Sequence, residues 1–83
     1  MVQLRYFASL REKLGIGDET VMLPEAVATV EELQRWLQER GEPWREALSD
    51  NRLLVAVNQE VSDRDTTVSD GDEIAWFPLV TGG

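Results

Sequence analysis

The chain has 83 residues, 16 acidic and 8 basic side chains, and neither cysteine nor histidine. We expect a single domain at this length, and the composition excludes disulfides, thiolate metal sites and any catalysis that depends on cysteine or histidine. The formal net charge of −8 also disfavours nucleic acid as a partner, because phosphate backbones would repel such a surface.

The N-terminal third of the chain contains two predicted strands with a short helix between them. Residues 2–6 alternate apolar and polar side chains, as expected of a strand with one face toward a core. Ser9 and Glu12 have the spacing of a capping box, and Gly15 suits the end of the helix that would follow. Residues 20–23 predict a second strand, which Pro24 would end because proline cannot donate to a ladder.

The main helix is predicted from a second capping box. Thr29 and Glu32 have the required spacing, and apolar residues follow at helical intervals. A further helical turn is predicted over residues 43–48, with proline at its first position. Trp36 and Trp44 are predicted to pack into the core, which is the usual place of large aromatic side chains.

The C-terminal third predicts three strands. Residues 53–57 are almost continuously apolar, which favours a central strand covered on both faces. Residues 58–59 offer a turn into a strand at residues 60–61. After a strong turn signal at residues 69–72, residues 73–77 alternate as a last strand.

This order of elements predicts an α+β fold, in which a mixed sheet of about five strands wraps one main helix and the last strand lies at or near the centre. That arrangement is the β-grasp fold. We expect residues 1–78 to form the β-grasp domain. Residues 79–83 are expected to form an extended C-terminal tail that reaches about 16–18 Å beyond it.

The two glycines at the C-terminal end have no folding role that the pattern indicates. Glycine has no Cβ, so such a tail could thread into a narrow channel of another protein and present an unhindered carboxylate. A carboxylate is a poor electrophile near neutral pH, so a partner must first convert it to an acyl adenylate with ATP. Sulfur could then displace the nucleotide and leave a C-terminal thiocarboxylate. The other interpretation is a tail without function.

Several segments resemble the small sulfur-carrier subunit of molybdopterin synthase, a ubiquitin-like β-grasp family. The matching segments, at matching spacing, are residues 7–15, 29–33, 57–59, 70–73 and 77–83. The family usually has a second proline where this chain has Leu79, which makes the base of the tail less rigid here.

The resemblance implies that the protein is not an enzyme on its own and binds no cofactor. An adenylating enzyme related to ubiquitin activators would use ATP to charge the terminal carboxylate. A sulfur donor such as a cysteine desulfurase or rhodanese would supply sulfur, and the large catalytic subunit of molybdopterin synthase would receive the tail. Two sulfurs would enter a pterin precursor to form the dithiolene of molybdopterin, in a heterotetramer of two carriers and two large subunits.

The same resemblance implies which residues act. Two are reactive: Gly83 and Gly82. Five would contact partners: Phe77, Leu79, Val80 and Thr81 around the base of the tail, and Arg11, which would pair with an acidic group on the activating enzyme. The alternative for Phe77 is ordinary sheet packing, and the alternative for Arg11 is a solvated side chain. No metal site is expected, because the aspartates between residues 63 and 72 lack the spacing of an EF-hand loop.

Other functions remain open at this stage. The same terminal chemistry would serve a sulfur carrier for thiamine synthesis or tRNA thiolation. A ubiquitin-like modifier would instead form isopeptide bonds with lysine side chains, and a plain binding module would not need the two glycines. The N-terminus lacks the features of a signal peptide and the apolar run at residues 74–80 is too short to span a bilayer, so we expect a cytoplasmic protein without membrane contact.

Overall fold

A computed structural model describes residues 1–50 and 52–79 of the chain. Its elements, in chain order, are β1 (Val2–Tyr6), α1 (Ala8–Leu14), β2 (Asp18–Val21), α2 (Val30–Gln38), α3 (Trp44–Ala47), β3 (Leu53–Val57), β4 (Glu60–Ser62) and β5 (Glu73–Pro78). The predicted order of elements is confirmed, and the last strand runs one residue beyond its predicted end. None of the helices in the described ranges has the length and apolar character needed to cross a membrane.

The strands form one mixed sheet in the order β2-β1-β5-β3-β4. β5 lies in the middle, parallel to β1 and antiparallel to β3. Tyr6 of β1 is in register with Trp76 of β5, and Leu53 of β3 is in register with Pro78. The prediction of a β-grasp fold with a central last strand is therefore confirmed.

The core lies between the inner face of this sheet and α2. Alternate residues of a strand share a face, and in β1 the residues at positions 2, 4 and 6 are the buried ones. The largest fully buried side chains are Trp76, Tyr6, Leu4, Leu33, Leu37, Leu48, Ile74, Val2 and Val30. Both α2 and the two central strands β1 and β5 contribute to this set, so the strand that precedes the tail is anchored in the core.

α2 begins at the predicted capping box. The Thr29 hydroxyl accepts a hydrogen bond from the backbone N–H of Glu32 at 3.2 Å, and the Glu32 carboxylate accepts from the backbone N–H groups of Ala28 at 3.0 Å and Thr29 at 3.1 Å. These bonds satisfy N–H groups that the first turn of a helix leaves without partners. They hold the pKa of the Glu32 carboxyl below its usual range, the bond from Ala28 most of all.

A polar cluster joins the edge strand β2 to the chain just after α2. The Tyr6 hydroxyl donates to Glu19 at 2.9 Å, and the Arg40 guanidinium donates to both oxygens of the same carboxylate at 2.9 and 3.0 Å. Burial, and then the adjacent Glu19 carboxylate, raise the pKa of Tyr6 far above its ordinary value. The hydrogen bonds to Glu19 also raise the pKa of Arg40. The Arg40 guanidinium lies 4.4 Å from the ring centroid of Trp44, a cation–π contact.

β2 lies two residues earlier than predicted. The strand expected at residues 20–23 occupies Asp18–Val21, antiparallel to β1. Glu19 explains the error, because the pattern places a carboxylate in a loop, whereas here it faces inward at the sheet edge and is paired with Tyr6 and Arg40. Met22 and Leu23 separate the end of β2 at Val21 from Pro24, which therefore does not end the strand.

The predicted capping box at Ser9 is wrong. α1 begins at Ala8, its N-cap is Phe7, and no side chain caps it. The Phe7 N–H instead donates to the carbonyl of Trp76 at 3.2 Å. This bond prolongs the pairing of β1 with β5 up to the helix and leaves Ser9 inside the first turn. The predicted end of α1 is confirmed, since Gly15 adopts the left-handed conformation at φ 79°.

Trp36 and Trp44 flank the core and do not lie within it, contrary to the prediction. Both are half-buried and pack against its edge, and the Trp44 ring meets the Tyr6 ring edge-on at 5.4 Å. The fully buried tryptophan is Trp76, which stacks on Tyr6 with ring centroids 5.8 Å apart. Pro43 is the N-cap of α3 and not its first helical residue.

Candidate functional site

β5 runs to the end of the sheet at which the predicted tail begins. Pro78 ends the strand opposite Leu53, and Leu79, the last described residue, is 53% exposed. We call Pro78 and Leu79 the tail root. Because β1 and β5 are parallel, the C-terminal ends of both strands lie at the same end of the sheet. Residues at the ends of both strands therefore surround the tail root.

The outer face of the sheet beside the tail root is apolar. Five of its residues form what we call the outer-face patch: Phe7, Ala56, Val61, Ala75 and Phe77. Ala56 is in register with both Val61 and Ala75, so these three form a row across β4, β3 and β5. Phe7 and Val61 are 44% and 66% exposed although both are apolar. Because exposed apolar side chains cluster at binding surfaces, the outer-face patch is a candidate contact surface.

The outer-face patch is concave because the residues at its centre are small. Ala56 and Ala75 rise little above the strands, and the bulkier side chains around them leave a depression of about 360 Å³. An ion pair between Arg5 and Glu73, with 2.9 Å between Nε and the carboxylate oxygen, lies at its border. An apolar floor with a charged border suits the insertion of an apolar side chain from a partner.

Phe7 connects the outer-face patch to a second surface at the start of α1. Its N–H donates to Trp76, and its carbonyl accepts from the N–H of Arg11 at 3.4 Å. The Arg11 side chain lies over Gly17, where an added Cβ would stand 2.9 Å from Nε. Glycine at this position is what allows the close approach. The carbonyl of Gly17 accepts from the N–H of Tyr6 at 2.9 Å, so Arg11 lies beside the end of β1.

The structure brings together some of the predicted contact residues and separates others. Phe77 belongs to the outer-face patch, and Leu79 follows it at the tail root. Arg11 lines a different groove, formed by α1 and residues 15–17. Four predicted site residues lie outside the described part of the chain: Val80, Thr81, Gly82 and Gly83. Their roles stay predictions, as does the division of the chain after residue 78.

Four members of the patch are not among the predicted contact residues: Phe7, Ala56, Val61 and Ala75. The available signal was the apolar run at residues 53–57, which was interpreted as a strand covered on both faces. On the outer face Ala56 is buried but Leu54 is half-buried, so that side of β3 is covered only in part. The apolar run is unbroken because one side of β3 faces the core and the other side contributes Ala56 to the outer-face patch.

Charged side chains near the tail root mostly form hydrogen bonds within their own turns. The Arg52 side chain and its backbone N–H donate to Asp50 at 3.2 and 2.9 Å, which lowers the pKa of the Asp50 carboxyl and raises that of Arg52. Asp63 accepts from the N–H of Asp65 at 3.1 Å. Within residues 1–50 and 52–79, no three acidic, histidine or cysteine side chains are grouped so as to hold a metal ion.

Known proteins match this chain over nearly its whole length. The ThiS family matches residues 4–83. The molybdopterin synthase sulfur carrier subunit of Haemophilus influenzae is 40% identical over 83 residues, which are 100% of both chains. A structure of the putative molybdopterin converting factor, subunit 1, from Pyrococcus furiosus has a TM-score of 0.77 and 30% identity, and the match covers 95% of this chain and 97% of that one.

A further solved structure is a protein–protein complex of subunits 1 and 2 of the molybdopterin-converting factor from Helicobacter pylori. Its matching chain has a TM-score of 0.68 and 28% identity, with 99% of this chain and 97% of that chain covered. The family match includes both the strands that form the outer-face patch and the two C-terminal glycines. From its sequence and its β-grasp fold alike, this chain belongs to the ThiS family.

Proposed function

We propose that this chain is the sulfur-carrier subunit of a molybdopterin synthase, with the carboxylate of Gly83 as its working group. The observation that carries the proposal is the full-length similarity to a subunit of that name, 40% identical with 100% of both chains covered. The outer-face patch supports it, because a carrier with no catalytic side chain must dock on the proteins that act on its terminus.

The proposed chemistry has two steps at one carbon. The Gly83 carboxylate attacks the α-phosphorus of ATP on an adenylating enzyme, which forms the acyl adenylate and releases pyrophosphate. The terminal sulfur of a persulfide carried by a cysteine desulfurase or a rhodanese then attacks the acyl carbon and displaces AMP, which leaves an acyl disulfide. A thiol reductant cleaves the S–S bond of this intermediate, supplies the two electrons and releases the carrier. The product is the thiocarboxylate of Gly83. Gly82 keeps the approach to that carbon open, because it has no side chain.

The large subunit of the synthase is the proposed acceptor of the tail. The complex of subunits 1 and 2 from Helicobacter pylori contains a chain of this fold, 28% identical to this one. We propose that the outer-face patch and Leu79 contact the large subunit, while Val80 and Thr81 extend the contact into its active site. Two sulfurs would then pass to a pterin precursor and form the dithiolene of molybdopterin, in a heterotetramer with two carriers. The whole reaction would take place in the cytoplasm.

The test is the intact mass of the purified chain after incubation with ATP, an adenylating enzyme and a sulfur donor. We expect one oxygen to be replaced by sulfur, and fragmentation to place the change at Gly83. The control variant lacks Gly82 and Gly83 and should keep its mass. An unchanged mass of the full chain, with an adenylating enzyme that charges another carrier, would contradict the proposal.

A second measurement separates this pathway from other uses of a thiocarboxylate. The sulfur-loaded chain is mixed with a large subunit and a pterin precursor, and dithiolene formation is followed. Formation of the product with loss of sulfur from Gly83 supports the molybdopterin assignment. Transfer only to a thiamine precursor or to tRNA, or isopeptide linkage of Gly83 to lysines in cell extracts, would contradict it.

A further inference from the structure

The basic side chains of this acidic chain are not all neutralised by neighbours. Within the described residues, ion pairs hold Arg5, Arg35, Arg40 and Arg52. The others have no ion-pair partner there: Arg11, Lys13, Arg45 and Arg64. On a chain with a formal charge of −8, cations without local partners are the groups available to an acidic surface of another protein.

Arg64 is held next to the tail root. It follows β4 by two residues, and its guanidinium donates to the main-chain carbonyl of Leu53 at 3.3 Å. Leu53 is the residue in register with Pro78. The side chain is half-buried and borders a depression with Leu54 and Ser62. One hydrogen bond leaves most of the guanidinium donors of Arg64 available.

Arg11 and Arg64 lie on opposite sides of the strand that leads to the tail. Arg11 rests on Gly17, just before β2 and beside the end of β1. Arg64 lies on the side of β3 and β4. β5 runs between these two pairs of strands, so one cation flanks the tail root on each side. The edge strands of the sheet are four strand spacings apart, or about 19 Å, which is wide enough for an opening that admits an extended chain between them.

We propose that Arg64 is a second partner-contact cation, which binds a carboxylate on the adenylating enzyme at the rim of the opening that receives the tail, opposite the contact made by Arg11. The inference rests on the proposed function. A tail extended by about 16–18 Å keeps both guanidinium groups at the rim, too far from the reacting carbon to reach the phosphates of ATP. This chain carries a formal charge of −8 and ATP is also anionic, so ion pairs at the rim would offset part of the repulsion during docking.

The experiment measures the KM for the carrier in adenylation, from pyrophosphate release at saturating ATP. The variants are Arg64→Gln, Arg64→Lys and, as a matched control, Arg35→Gln. Each Gln variant removes one positive charge, but Arg35 lies on the exposed face of α2 and pairs with Glu31. We expect Arg64→Gln to raise KM about five- to tenfold with kcat unchanged, and Arg64→Lys to have a smaller effect.

Added salt should narrow the difference in KM between Arg64→Gln and the unmodified chain, because salt screens the attraction between opposite charges as the two proteins associate. Equal urea midpoints of the variants would show that the change in KM does not come from unfolding. A KM for Arg64→Gln that matches Arg35→Gln, or a difference that salt leaves unchanged, would overturn the role of Arg64. Failure of the unmodified chain to be adenylated would overturn the proposed function itself, so the two failures are distinguishable.

Discussion

The indole N–H of Trp76 donates a hydrogen bond of 3.1 Å to the side-chain oxygen of Gln34, in a place where both residues are buried. The amide nitrogen of Gln34 donates in turn to the carbonyl of Leu48 at 2.7 Å. One glutamine of α2 therefore links β5, two residues before the strand ends, to the residue that follows α3. It is the buried polar side chain of the described core.

Replacing Gln34 with leucine should destabilise the domain by about 2–4 kcal/mol. The change leaves an indole N–H and a backbone carbonyl buried without partners, and each such group costs about 1–3 kcal/mol. The free energy of unfolding, from urea titration, checks the prediction. Gln38→Leu is the matched control, since Gln38 makes a single exposed hydrogen bond to the carbonyl of Arg45. Equal stabilities of the two variants would contradict a structural role for the Gln34 bridge.

Tyr6 should stay un-ionised in the folded protein well above its ordinary pKa. It is the single tyrosine of the chain, 1% exposed, and bonded to a carboxylate. Because its folded pKa is raised, the stability it contributes is fully present below about pH 10 and declines as pH rises further, by about 1.4 kcal/mol per unit. Tyrosinate absorbance measured alongside urea unfolding should show ionisation only when the chain unfolds.

The Tyr6→Phe variant separates this effect from all other alkaline titrations. It keeps the ring stacked on Trp76 and removes the ionisable hydroxyl. Its stability should fall less steeply above about pH 10 than that of the unmodified chain. Parallel curves for the two proteins, or an absorbance change while the chain is still folded, would show that the phenol is not protected by burial.

Thr29→Ala should destabilise the domain by about 1 kcal/mol, whereas Ser9→Ala should have almost no effect. Both residues have the sequence spacing of a capping box, but only Thr29 accepts a hydrogen bond from the first turn of its helix. Thermal unfolding of the two variants gives the comparison. A larger loss for Ser9→Ala would show that α1 is capped by its side chain after all.

Phe77→Ser should weaken binding to the large subunit at least about tenfold while it changes the stability of the fold much less. The side chain belongs to the outer-face patch and not to the core. Met22→Ser is the control, because Met22 is an apolar residue, 73% exposed, that lies outside the patch. Titration calorimetry with the large subunit measures both. Equal affinities of the two variants would remove Phe77 from the contact surface.

Local patterns in the sequence were enough for most of the fold. The alternation in β1 and β5 and the capping box at Thr29 are each contained within a few neighbouring residues, and each prediction is confirmed. The errors arose where a distant residue decides the local structure. Glu19 belongs to a strand because Tyr6 and Arg40 pair with its carboxylate. Phe7, and not Ser9, is the N-cap of α1, because the Phe7 N–H donates to the carbonyl of Trp76.

The candidate site was predicted less completely than the fold, for a related reason. Phe77 and Leu79 follow directly from the position of the last strand and its resemblance to a known segment. The rest of the outer-face patch depends on strand register. Ala56, Val61 and Ala75 meet in one row although they come from three strands. No pattern within one strand indicates which residues of the other strands lie beside it.

The central position of β5 also decides how the domain responds when a partner draws on the tail. Ladders of hydrogen bonds flank β5 on both sides, from β1 and from β3. A pull applied along the strand through Leu79 acts on these ladders in shear. Many hydrogen bonds then bear the force together and do not break one after another. An edge strand such as β4, with one neighbour, would peel away under a weaker pull. For the proposed insertion of the tail into a partner, the domain would thus act as a mechanical anchor that stays folded while the tail is pulled.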